Sequence, residues 1–171
     1  MRKFAIPVTL LLALAMILGT VRCGGGEEEP TPTPTPTDEA VILELIDEQT
    51  AAMNELDFET VYNQRSPSYR SRVTLQDFGT FFEAAYADVI PLIESGEAEV
   101  VITDMELSVE GEYAYMTGDL EVHGKSIVIS PTLLLSYTDE SPDIWQKIDG
   151  TWYNLETNPE FPGYDPSELP D

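Results

Sequence analysis

The hydrophobic period of this chain changes once, near residue 97, and that change limits the folds open to it. Over residues 38–56 (DEAVILELIDEQTAAMNEL), Val41, Ile42, Leu45, Ile46, Ala52, Met53 and Leu56 share one helical stripe. Thr37 or Asp38 caps its start. Asp57 then caps a short second helix with Phe58, Val61 and Tyr62 inward. Ser66-Pro67 breaks that helix, and one more turn follows through Tyr69. Thr74-Leu75-Gln76-Asp77 is a start like a capping box for a longer helix. Its apolar face is Phe78, Phe81, Phe82, Ala85 and Val89; Pro91 kinks or ends it, and Gly96 is its stop.

Beyond residue 97 the period is two. Val101, Met105, Leu107 and Val109 alternate with Asp104, Glu106 and Ser108, and Gly111 marks a hairpin turn. The next strand carries Ala114, Met116, Leu120 and Val122 on one face. Its other face is Tyr113, Tyr115, Thr117, Asp119, Glu121 and His123. Gly124 leads into a long strand over 126–137, in which Pro131 predicts a bulge or an edge position. Residues 138–143 (TDESPD) read as an acidic loop, and strands 144–148 and 151–155 flank the turn Asp149-Gly150. Helices followed by an antiparallel meander form an α+β domain, with N-terminal helices packed on a curved antiparallel sheet. That domain spans residues 38–157. Residues 158–171 (NPEFPGYDPSELPD) read as a poorly structured acidic, Pro-rich tail that can dock through Phe161 and Tyr164.

The first 22 residues belong to something else. Arg2 and Lys3 precede an uncharged, mostly apolar run of 17 residues from Ala5 to Val21, followed by Arg22-Cys23. This is the layout of a secretory signal, which places the rest of the chain outside the cytoplasm. Cys23 stands where a bacterial lipoprotein carries its lipidated residue, and the segment resembles that class. Of the residues before it, Val21 fits the usual cleavage pattern, whereas Thr20 and Arg22 depart from it. An uncleaved membrane helix and a released protein are the alternatives. Residues 23–37 are a linker, with glycines, glutamates and a Pro-Thr repeat that favours extended polyproline II.

Charge and cysteine count narrow the partners. Beyond residue 22 there are five basic residues against 32 acids, a net charge of −27. Such a field repels nucleic acid and anionic surfaces. One cysteine allows no intramolecular disulfide, so the fold rests on its hydrophobic core. One cysteine and one histidine also exclude a zinc site built from those ligands. No cofactor is implied.

Three stretches carry a family resemblance. Ala51-Ala52-Met53-Asn54-Glu55-Leu56-Asp57-Phe58 through Tyr62 is like the junction between the first two helices of the nuclear-transport-factor-2-like (cystatin-like cone) superfamily. Ser66 to Arg72, followed by Val73-Thr74-Leu75-Gln76-Asp77-Phe78, is like its next helical segment. Trp145-Gln146-Lys147-Ile148-Asp149-Gly150-Thr151-Trp152-Tyr153 is like its closing hairpin. The resemblance implies a cone with a pocket between helices and sheet. It implies no particular activity, since members range from isomerases and dehydratases to adaptors and envelope lipoproteins.

The residues themselves show no catalytic constellation. Asp119, Glu121 and His123 alternate on one strand face, which reads as a solvated face in preference to a metal site or a His–carboxylate pair. Arg65, Arg70 and Arg72 cluster between helices, available to an anionic ligand or, more simply, to neighbouring acids. Tyr62, Tyr69, Tyr86, Tyr115 and Tyr137 are the candidates for lining a ligand pocket. The combined reading is a membrane-anchored envelope lipoprotein, non-enzymatic, that binds a small apolar ligand or an envelope protein. The alternatives are an isomerase, dehydratase or cyclase using a pocket carboxylate and tyrosine, and an assembly module that forms a homodimer. Intact mass of the mature protein checks the anchor: a diacylglyceryl Cys23 at the N-terminus is expected, and an unprocessed Met1 would refute it.

Overall fold

Four side chains start the first four helices. In the computed structural model, which describes residues 36–125 and 132–170, the Thr37 hydroxyl accepts from the Ala40 amide and opens α1 (Asp38–Glu55). Asp57, Ser66 and Thr74 do the same for α2 (Phe58–Asn63), α3 (Pro67–Arg72) and α4 (Leu75–Ala85). Each side-chain acceptor satisfies an amide that the first helical turn leaves without a partner, a contribution of about 1 kcal/mol. The fifth helix, α5 (Ile90–Glu94), has no such cap and places Pro91 in its first turn. The single long helix expected over this region is therefore two. Residues 86–89 turn between them, and Pro91 begins the second piece, where its missing N–H costs nothing.

The five strands are β1 (Ala98–Glu110), β2 (Tyr113–Gly124), β3 (Thr132–Tyr137), β4 (Asp143–Ile148) and β5 (Thr151–Asn154). All pairings are antiparallel, in the order β1-β2-β4-β5, with β3 also on β2. The central strand is β2. One of its edges carries β1 along its whole length. The other carries β4 beside Tyr113–Met116 and β3 beside Gly118–Val122. The strand expected over 126–137 is described from Thr132 onward, and Pro131 lies outside the described residues. The Asp149-Gly150 turn has positive φ at both positions (50° and 84°), as a two-residue hairpin requires.

A bulge in β1 corrects one expected face. Thr103 pairs with Asp119 and Glu106 with Thr117, so Asp104 and Met105 together oppose Gly118. Before the bulge the even positions Ala98, Val100 and Ile102 face the core; after it the odd positions Leu107 and Val109 do. Val101, expected inward with Leu107, is on the opposite face for that reason. On β2 the inward set Ala114, Met116, Leu120 and Val122 keeps one parity and is buried throughout. Without the bulge, one half of β1 would turn its apolar side chains outward.

Helices and sheet enclose two apolar clusters. Beneath α1, Ile42 and Ile46 meet Ala114, Met116, Trp145 and Trp152. Between α2–α4 and the far half of the sheet, Met53, Val61, Tyr69, Phe78 and Phe82 meet Val100, Leu120 and Val122. Both outer strands are engaged at an edge. The Asn54 side chain donates to the Val100 carbonyl (2.8 Å) and accepts from the Val100 amide (2.6 Å). At the other side, the Asn154 amide of β5 donates to the Gln64 carbonyl (2.9 Å), which ties the α2–α3 linker to the sheet.

The C-terminal segment lies against α3 and α4. Phe161 packs on Phe81 with ring centroids 4.5 Å apart. Arg72 donates to the Gly163 carbonyl (2.8 Å) and pairs with Glu168 (2.6 Å). The segment expected to be loosely structured is thus held at both ends of a short run. Among the described residues no helix is long and apolar enough to cross a membrane. The signal segment, Cys23 and most of the linker lie outside the described residues.

The bulge depends on Gly118. A Cβ there would lie 2.9 Å from the Thr103 carbonyl oxygen and 3.2 Å from Met105 Cα, at φ 145°. Both neighbours are backbone and cannot swing away. Gly118→Ala is expected to lower unfolding free energy by about 1–3 kcal/mol in urea titration. A change below about 0.5 kcal/mol would show that the bulge is not held as described.

Candidate functional site

The site lies where β2 exchanges partners. Tyr137, the last residue of β3, pairs with Gly118, and Asp143, the first residue of β4, pairs with Met116. Between them the chain makes a tight loop in which Thr138 and Ser141 exchange backbone hydrogen bonds of 3.1 and 3.0 Å. The break between strands leaves a gap on the inner face of the sheet. Helix side chains do not fill it, and a cavity of about 170 Å³ remains. Met53, Val61, Phe82, Leu120 and Leu135 supply apolar wall; Arg65, Asp143 and Glu156 supply a polar end. Thr157, Asn158, Pro159 and Phe161 border it from the C-terminal segment.

The polar end is a connected set of buried groups. Asn154, the last residue of β5, is almost fully buried. Its carbonyl oxygen accepts from Arg65 Nη1, and its amide donates to both oxygens of Asp143 (2.9 Å each). Asp143 Oδ2 also accepts from the indole N–H of the buried Trp145 (3.0 Å). Arg65 Nη1 is 3.5 Å from Glu156 Oε2 and 3.3 Å from the Leu155 carbonyl oxygen. Glu156 Oε1 accepts from the Asn158 amide (2.9 Å). The Gln64–Asn154 backbone contact is what delivers Arg65 here, since it clamps the α2–α3 linker beside the end of β5.

Burial dominates the ionisation of these groups. It raises the Asp143 carboxyl to about 6, against the opposing hydrogen bonds from Asn154 and Trp145 and the charge of Arg65. For Arg65, burial opposes the charge, but Glu156 and Asp143 outweigh it and hold the guanidinium above its ordinary range. Burial also pushes Tyr86 up to about 12 and Tyr137 well above its usual value. Both phenols are therefore neutral in any ordinary buffer.

The five candidate tyrosines go to three places. Tyr86 and Tyr137 line the cavity. Tyr62 donates to the Val73 carbonyl (2.8 Å), and Tyr69 is fully buried edge-on to Phe78; both belong to the helical core. Tyr115 is on the outer face of β2, beside Glu106 and Pro142. The three arginines also separate. Arg65 enters the cavity end, Arg70 lies over the Tyr153 ring at 5.8 Å, and Arg72 holds the C-terminal segment.

Asp119, Glu121 and His123 stay on the outer face, where Ser136 donates to Asp119 (2.6 Å) and His123 Nε2 meets Glu121 Oε2 at 2.6 Å. Asp104 is exposed at the bulge. Among the described residues no group of three or more His, Cys, Asp or Glu side chains is arranged to hold a metal ion.

Asp143 and Glu156 are the acids of the cavity, and neither is among the candidates the sequence offers. Strand parity was the available signal. Asp143 is two residues before the inward Trp145, and Glu156 is four after the inward Trp152.

No protein-family profile and no curated protein matches the chain. Among solved structures it is similar to Rv3472 of Mycobacterium tuberculosis, a protein described as of unknown function, at 18% identity and a TM-score of 0.41. The match covers 66% of this chain and 64% of that one, so the chain spans less than two-thirds of that protein's length.

Asp143 gives the site a pH signature. Its folded pKa of about 6 lies above the ordinary 3.8, so the fold favours the neutral acid. The stability it contributes is complete below pH 4 and is lost as pH rises through 6. Asp143→Asn removes that loss. Relative to wild type, the variant is expected to gain roughly 2–3 kcal/mol in unfolding free energy between pH 4 and pH 7. Parallel urea-stability profiles across that range would refute the assignment.

Proposed function

We propose that this chain is an exported, membrane-anchored domain of the nuclear-transport-factor-2-like kind that binds a small, largely apolar molecule in its cavity. The signal layout, the lone Cys23 and the Pro-Thr linker support export and anchoring. The order of helices before an antiparallel sheet, and the closing Trp145–Tyr153 hairpin, support the family reading. One observation carries the binding reading: a cavity of about 170 Å³ with an apolar wall ends on the buried Arg65–Glu156 pair. A cavity of about 150 Å³ accepts benzene, so the occupant is a single ring or its aliphatic equivalent. A molecule that small is expected to bind with a Kd on the order of micromolar to millimolar.

Asp143 supports a second reading, a proton-transfer enzyme of the isomerase or dehydratase kind. A carboxyl raised to about 6 beside the neutral Tyr137 suits a general acid or base. Its oxygens are already engaged by Trp145 and Asn154, however, and a substrate would compete with three hydrogen bonds. That favours binding over turnover.

A library of small ring compounds, screened by ligand-observed NMR, tests the binding reading. Wild type is expected to bind several, and Leu135→Trp, which fills the cavity, is expected to lose them without losing its cooperative melting. Binding unchanged in the filled variant, or no binding by wild type, would reject it.

A further inference from the structure

The charged groups at the cavity do not balance. Two carboxylates, Asp143 and Glu156, face one guanidinium, Arg65, and all three residues are 6–9% exposed. The other polar residues around the cavity (Gln49, Ser136, Ser141 and Asn158 among them) carry no charge. Arg65 is the group an anionic ligand would seek, but its Nη1 is already shared among Asn154, the Leu155 carbonyl and Glu156. Glu156 Oε2 is buried with no hydrogen bond, since Arg65 at 3.5 Å is a charge partner at a length too great for one, and Arg65 Nε is a second buried atom without a partner. Buried carboxylate oxygens are costly to leave in that state. With two carboxylates against one guanidinium, a charged donor from a ligand suits this end of the cavity better than an acceptor.

The walls agree with the charges. Tyr86 and Tyr137 present aromatic rings beside the acids, and Phe82 and Phe161 complete an aromatic rim. An aromatic ring attracts a cation that lies over its face. At longer range the net charge of −27 beyond residue 22 draws cations toward the domain.

We infer that the cavity selects a small organic cation, a primary ammonium on an apolar ring or short chain, with the ammonium at Glu156 in the field of the Asp143 carboxylate and the apolar part against Leu120 and Leu135. This rests on the binding reading above. One added positive charge brings the buried set to neutrality: two carboxylates, one guanidinium and one ammonium. An anion of the same size would instead add a third negative charge to a space of low dielectric, where like charges interact strongly.

Three probes of one shape separate the cases: benzylammonium, benzyl alcohol and benzoate, titrated by NMR at pH 7.5 in about 0.3 M salt, where loose attraction to the acidic surface is screened. The ammonium is expected to bind at least tenfold tighter than the alcohol, and benzoate at least tenfold weaker. Glu156→Gln and, independently, Asp143→Asn are expected to shrink the ratio of ammonium to alcohol affinity severalfold. Leu135→Trp is expected to abolish binding of both. If the alcohol binds as well as the ammonium, charge selection is wrong and the binding reading stands. If benzoate binds best, Arg65 is the anchor and the inference is overturned. If the ammonium binds equally to the filled variant, it is on the surface and the inference is overturned. If no probe binds, both readings fall.

Discussion

A guanidinium buried between helices and sheet organises this domain. Arg65 belongs to the linker between α2 and α3, and its partners belong to the ends of β4 and β5. A charge taken out of water must be met by partners in the protein, or the fold loses several kcal/mol. Asn154 meets it from one side and Asp143 stands behind Asn154, while Glu156 approaches from the chain that leaves the sheet. Three separate segments, the α2–α3 linker, the start of β4 and the chain at the end of β5, are therefore fixed relative to one another. The apolar clusters on either side supply most of the folding free energy, but burial is not directional and does not specify this seam. The polar set does.

The same seam explains why a cavity exists here. A strand paired along its full length by one neighbour leaves no gap. On this edge β2 has two neighbours, β3 and β4, and the chain must loop out between them at Thr138–Ser141. Side chains at the two strand ends, Tyr137 and Asp143, project toward the helices from either side of the break. Cavity and buried acid thus have a common origin in sheet topology.

Local signals are legible in the sequence, and contacts between distant segments are not. Caps at Asp57 and Thr74, the change of period near residue 97 and the Asp149-Gly150 turn are each decided by a few adjacent residues, whereas Thr37 competes with Asp38 for its cap and Ser66 reads with Pro67 as a break. The inward face of β2 follows from strict alternation. The bulge at Asp104-Met105 was hidden because it is defined by the partner strand, at Gly118, and it moved Val101 to the outer face. Pro91 was ambiguous because proline both ends and begins helices. In the candidate site, Tyr86 and Tyr137 were named from the sequence, but so were Tyr62, Tyr69 and Tyr115. Hydrophobic pattern finds a buried tyrosine without saying what it is buried against. Asp143 was assigned to an acidic loop because Asp139 and Glu140 beside it are ordinary solvated acids. Its different fate depends on Asn154, Trp145 and Arg65, none of which is adjacent to it in the chain.

The Asn54 contact has a further consequence. By pairing with both the amide and the carbonyl of Val100, an asparagine from α1 occupies the hydrogen-bonding positions that a foreign strand would use at that point of β1. The Gln64 carbonyl does the same at Asn154 on β5. Extension of the sheet from one molecule into the next is blocked at these two points by the chain's own atoms.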